Sequence, residues 1–143
     1  MLFEIVAILS CTVFAGAAIY INIAEHPARL ECGTEFAATV FAPSYTRAAG
    51  MQASLAIIAT IAGVGVGVLS GNVLWYVGAT LIFFVIPFTF IAIMPTNKLL
   101  LDPERDRSSE ETRGLLEKWG FLHASRSFTS TLAAILFIYL GVN

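Results

Sequence analysis

Apolar residues run almost uninterrupted through four stretches, Leu2 to Ile23, Met51 to Leu69, Val73 to Met94 and Phe121 to Val142, and polar residues collect between them. Each stretch approaches the roughly 20 residues that an α-helix needs to cross the hydrocarbon core of a bilayer. The pattern therefore predicts an all-α fold, a four-transmembrane-helix bundle in which residues 1–143 form one membrane domain. The first stretch lacks a basic leading region and outlasts a secretory segment without a small-residue cleavage site before Asn22. It reads as a retained helix.

The polar intervals carry helical signals of their own. Phe36, Ala37, Val40 and Phe41 stand at helical spacing ahead of Pro43, which predicts a short interfacial helix between spans one and two. Ser108 and Glu111 have capping-box spacing, and no break follows before the last apolar run. A helix starting there continues through Trp119 and His123 into span four, as a long fourth helix whose first turns project into the cytoplasm. Gly63, Gly65, Gly67 and Gly71 give span two a small-residue face suited to close packing. Pro87 should bend span three and free a carbonyl near Phe83.

Composition strengthens the membrane reading, since 57% apolar and 13% charged residues exceed the usual balance of a soluble domain, and the mean hydropathy is +0.81. All 8 Lys and Arg and both histidines fall in or beside Ala24 to Met51 and Pro95 to Arg126. Because Lys and Arg favour cytoplasmic loops near span ends, these segments are expected on the cytoplasmic side and both termini on the other. The chain is thus expected to be an integral, multi-pass membrane protein surrounded by lipid, with no nucleic-acid partner and with a homo-oligomer left open. Cys11 and Cys32 lie in different surroundings and have neither disulfide nor metal-ligand spacing.

Three motifs concentrate the chemistry at this cytoplasmic end. In a continuing helix Asn22, Glu25, His26 and Arg29 form one polar stripe. Pro27 interrupts it, and a residue before proline is pushed from helical angles, so His26 is expected at a helix end. Asn97, after Met94-Pro95-Thr96, offers two donors and an acceptor, or else serves as a helix terminator. Trp119, His123, Arg126 and Ser130 line one side of the fourth helix. Arg126 lies about one turn inside the hydrocarbon, where an ionisable group usually faces the bundle interior, and Glu25 is its expected partner.

Together, Glu25-His26-Pro27-Ala28-Arg29, Pro43-Ser44-Tyr45, Pro95-Thr96-Asn97 and Trp119-x-x-x-His123-x-x-Arg126 resemble the anthrone-oxygenase-like membrane proteins over most of the chain. The resemblance implies oxidation of an apolar polycyclic anthrone by dioxygen. Such a reaction needs a base for the ring CH2, a stabiliser for the developing oxyanion and an apolar slot. On this reading His26 or His123 is the base, and Arg126 and Asn97 stabilise the oxyanion. Trp119, Arg29, Asn22 and Glu25 hold the substrate.

No cofactor is required by that chemistry. The metal alternatives are a set of His26, His123 and Glu25 around iron or copper, or the two histidines as axial ligands of a haem. A different class, a non-enzymatic subunit or scaffold, would use the same polar groups to fix helix register. Convergence of His26, Asn97, His123 and Arg126 on one cavity separates the two classes. Transport ranks last, for want of an internal repeat.

Overall fold

The computed structural model describes residues 1–143 and contains helices and turns without strands. Four helical rods, Leu2–Glu31, Thr34–Ser70, Val73–Leu100 and Glu110–Val142, are each long and apolar enough to cross a membrane. Helices suit this setting because they satisfy every backbone polar group within the segment. Large apolar side chains such as Leu9, Ile61, Phe84 and Ile135 point outward, where lipid would surround them.

Two of the rods are interrupted by π turns. The first rod consists of α1 (Leu2–Tyr20), a π-helical turn at Ile21–Glu25 and α2 (His26–Glu31). The third consists of α4 (Val73–Phe88), a second π turn at Thr89–Ile93 and α5 (Met94–Leu100). Both turns precede a proline, Pro27 or Pro95, whose missing N–H cannot extend the α-helical ladder. The wider turn lets the chain absorb the gap, as the His26 N–H reaches back five residues to the Ile21 carbonyl. His26 therefore keeps helical angles, φ −68 and ψ −45, and does not stand at a helix end. Pro87 sits in the last turns of α4, directly before the second π turn.

The second rod is the single helix α3 (Thr34–Ser70), which runs through Pro43. The residues expected as a separate short helix form its first turns, because the loss of one hydrogen bond is outweighed by helical neighbours on both sides. Gly33, at φ 101, supplies the turn that starts it. The fourth rod, α6 (Glu110–Val142), begins one residue later than the Ser108–Glu111 pattern predicts: Ser109 is the cap and accepts from the Thr112 amide at 3.2 Å. Ser108 is instead drawn to Asp106, its hydroxyl donating to the carboxylate at 2.7 Å.

Spans two and three are joined by a tight turn in which Gly71 takes the left-handed conformation, φ 69. Asn72 then caps α4 by accepting from Leu74 N at 3.0 Å. Phe3 approaches Gly65 and Ile8 approaches Gly141, so both termini lie at this end of the bundle. The polar loops occupy the other end.

The core has two layers. The layer nearer the termini pairs alanines (Ala7, Ala15, Ala56, Ala59, Ala79, Ala133) with Phe14, Trp75, Ile82 and Phe137. Small residues bring the backbones close, as expected where lipid supplies no hydrophobic force between helices. The glycine face of span two seats aromatic rings: a Cβ at Gly63 would lie 2.7 Å from Phe137 Cζ, and one at Gly67 2.8 Å from Tyr76. Cys11, fully buried, belongs to this layer, and both cysteines are free. The second layer packs Ile21, Ala38, Phe41, Ile93, Leu100, Leu116 and Trp119 beneath the polar loops.

Candidate functional site

The polar side chains of the first rod divide between two neighbours instead of forming one stripe. Asn22 and His26 turn to α6. Asn22 Nδ2 donates to the Gly120 carbonyl and His26 Nε2 to the Leu116 carbonyl, each at 2.9 Å. These two carbonyls are one helical turn apart. His26 can come so near because position 120 has no side chain, for a Cβ there would stand 2.7 Å from His26 Cδ2.

With its amide nitrogen held by Gly120, Asn22 presents its oxygen to His123 Nδ1 at 2.7 Å and to Ser127 Oγ at 2.5 Å. An amide oxygen only accepts, so neutral His123 carries its proton on Nδ1 and keeps the lone pair on Nε2. By the same reasoning His26 bears its proton on Nε2, and its Nδ1 is buried without a partner. Trp119 touches both imidazoles, with ring centroids 5.0 Å from His26 and 4.8 Å from His123. Phe41 braces the indole edge-on at 5.2 Å.

Glu25 and Arg29 face α3. They form an ion pair with each other, and Arg29 Nη2 also donates to Ser44 Oγ at 2.7 Å. The expected Glu25–Arg126 pair is therefore absent, since Glu25 finds a cation one turn along its own helix. Arg126 instead donates to Gln52 Oε1 at 2.8 Å and lies 5.4 Å from the centre of the Phe14 ring.

Two adjoining cavities open among these groups. The smaller, about 20 Å³, is lined by Arg29, Ser44, Tyr45, Gln52, Trp119, His123 and Arg126, among others. The larger, about 130 Å³, is mostly apolar, with Phe14, Ala56, Val85, Ile86, Phe90 and Met94 in its wall. Tyr45, Ala49, Gln52 and Arg126 belong to both. Arg126 thus stands on the boundary between a polar chamber and an apolar one.

Of the residues singled out by sequence, His123, Trp119, Arg126 and Arg29 meet at the small cavity. Asn22 stands behind His123, and Glu25 beside Arg29. His26 touches Trp119 but lines neither cavity. Asn97 is fully buried in α5, lines neither cavity, and leaves both amide atoms without partners, so of the four residues expected to converge on one cavity only His123 and Arg126 do so, and His26 and Asn97 are not placed to act as base or oxyanion stabiliser there. Phe14, Ser44, Tyr45, Gln52 and Gly120 were not assigned roles from sequence. Gln52, a lone amide in an apolar span, carried a readable signal. Gly120 and Phe14 carried none.

The metal-ligand set of His26, His123 and Glu25 is not assembled, because no three His, Cys, Asp or Glu side chains gather as ligands. Glu25 is engaged by Arg29 and Ser44. His26 lines neither cavity, so the two imidazoles do not meet in either of them.

Fold and site define a four-span helical membrane protein whose polar cluster adjoins an apolar internal chamber. The chain belongs to the anthrone oxygenase family, whose model matches residues 41–136. The matched segment contains Ser44, Tyr45, Gln52, Asn97, Trp119, His123 and Arg126, and leaves Asn22, Glu25, His26 and Arg29 outside it. No curated protein and no solved structure matches the chain.

Proposed function

We propose that this protein is a membrane oxygenase that uses dioxygen on a flat, apolar, anthrone-like substrate without a cofactor, with His123 as general base. The observation that carries the reading is the fixed imidazole: Asn22 holds the His123 proton on Nδ1, and the ring lines a polar cavity that adjoins an apolar one. A base, an orienting partner and an adjacent slot are the parts that proton abstraction requires.

In this reading the rings enter the apolar chamber between Phe14, Val85 and Phe90 as its walls part to admit them, with the edge that bears the CH2 turned to the polar cavity and the charge of Arg126 beside it. His123 Nε2 removes a proton from the ring CH2, and the electron pair delocalises onto the ketone oxygen as a phenolate-like anion. Arg126 stabilises that anion. The carbanion form adds dioxygen and takes back a proton to give a hydroperoxide. Loss of water leaves the quinone, so one oxygen atom enters the product and the other leaves as water. The other candidates act indirectly: Trp119 braces His123, and the Glu25–Arg29–Ser44 group supports the cavity wall. In this reading the site faces the cytoplasm, a side that the clustering of Lys and Arg favours.

Oxygen uptake by detergent-purified protein with a panel of anthrones tests the proposal. Substrate-dependent uptake that falls at least about 100-fold in His123→Ala is expected, in line with the usual worth of a general base, and chelators should leave it unchanged. Silence with every anthrone would remove the oxygenase reading and favour a non-enzymatic role. Unchanged turnover in His123→Ala would remove His123 as base.

A further inference from the structure

Four residues that line the small cavity each carry a nitrogen without a hydrogen-bond partner. Arg29 Nε, Gln52 Nε2, Trp119 Nε1 and Arg126 Nε are each buried without a hydrogen-bond partner, and all four residues line this cavity. Arg29, Gln52 and Trp119 are themselves 7%, 2% and 5% exposed, so solvent at the surface does not serve them, while Arg126 is half-buried with its Nε enclosed.

Charge is unbalanced in the same place. Glu25 neutralises Arg29, whereas Arg126 takes part in no ion pair and has only the neutral oxygen of Gln52 and the face of Phe14. Buried charges are ordinarily paired, because an isolated one is costly in a low dielectric. Unpaired buried N–H groups add to that cost. A water molecule has room for two donors and no charge to offer.

We infer that the small cavity is a binding site for one compact anion of halide size, held by Arg126, Gln52, Trp119 and Arg29. A volume of about 20 Å³ admits a single particle slightly larger than water and no ring. The inference needs no substrate and stands or falls apart from the oxygenase reading. It also predicts that such an anion occupies the chamber beside His123 in the resting protein.

Bromide, a quencher of indole fluorescence, is the probe. The full chain carrying Trp75→Phe, which leaves Trp119 as its one indole, is titrated in detergent with sodium bromide replacing sodium gluconate at constant ionic strength. The expected result is quenching that saturates, is reversed by chloride and is lost in folded Arg126→Gln and Gln52→Leu proteins. Two variants are used because the first removes a charge on which packing also depends, and circular dichroism confirms folding of each. Quenching that rises without saturation, or that is unchanged in a folded Arg126→Gln or Gln52→Leu protein, overturns the site.

Discussion

Asn22 and His123, 101 positions apart, are joined by a 2.7 Å hydrogen bond that runs between the π turn of the first rod and the middle of α6. The bond decides which imidazole nitrogen is basic, and Asn22 is itself held in place by Gly120 and Ser127. An orienting partner of this kind fixes tautomer and ring direction without touching the reacting atoms.

Replacing Asn22 should therefore harm turnover more than binding. Asn22→Leu is expected to lower kcat by about 100-fold, within the range for a mispositioned general base, with KM little changed. Asn22→Asp, which still accepts from Nδ1, should restore part of kcat and shift the pH–rate profile. Equal losses in both variants with an unmoved profile would make Asn22 a packing residue only.

Gly120→Ala should disturb the other histidine. The new methyl group would sit 2.7 Å from His26 Cδ2 and 2.9 Å from Nε2, forcing the ring off the Leu116 carbonyl. A loss of about 1–3 kcal/mol is expected, as for overpacking elsewhere. Gly114→Ala, on the same helix with nothing within 4 Å, is the control and should stabilise the helix by up to about 1 kcal/mol. Thermal melts in one detergent compare the two.

Gly78→Ala tests the layer near the termini. Its methyl would lie 2.4 Å from Phe137 Cε1, a ring that also fills the space over Gly63. The substitution should destabilise by about 1–3 kcal/mol, and Phe137→Leu in the same chain should recover part of that loss. A melting temperature unchanged by Gly78→Ala would mean that the helices separate more easily than this packing implies.

The loop before α6 carries a pH-dependent contact. Hydrogen bonds from the Ser108 hydroxyl, then from backbone amides, hold the Asp106 carboxyl below its usual value of 3.8. A depressed folded value means that the contact contributes above about pH 3.8 and is lost as pH falls through the lower folded value. The Ser108 amide resonance should titrate with a midpoint below 3.8, move up in Ser108→Ala and cease to titrate in Asp106→Asn. A midpoint already at the ordinary value would show the contact to be too weak to matter.

Four spans were legible from hydropathy because the membrane demands long apolar helices, and the clustering of Lys and Arg at one end was equally plain. What sequence concealed follows from local competition. Pro27 and Pro43 look like helix breakers, yet a π turn accommodates one and a continuous helix carries the other. Opposite charge makes Glu25 the expected partner of Arg126, but a cation four residues away on the same helix reaches it first. The motif residues His123, Trp119 and Arg126 did converge, whereas Asn97 shares their end of the bundle without reaching their cavity. Phe14 and Gly120 gave no advance sign, since a phenylalanine in a span and a glycine in a helix are unremarkable until their neighbours are known.

The π turn at Ile21–Glu25 acts as a phase shifter. One residue changes the azimuth of everything downstream on a helix by about 100°. Deleting Ile23 would leave a span of nearly the same length and apolarity, and hydropathy would hardly register the change. Yet Arg29 would be swung away from Ser44, and Asn22 and His26 would lose their common aim at α6. In this stretch a single-residue deletion is a rotation, and the site is more exposed to it than to many substitutions.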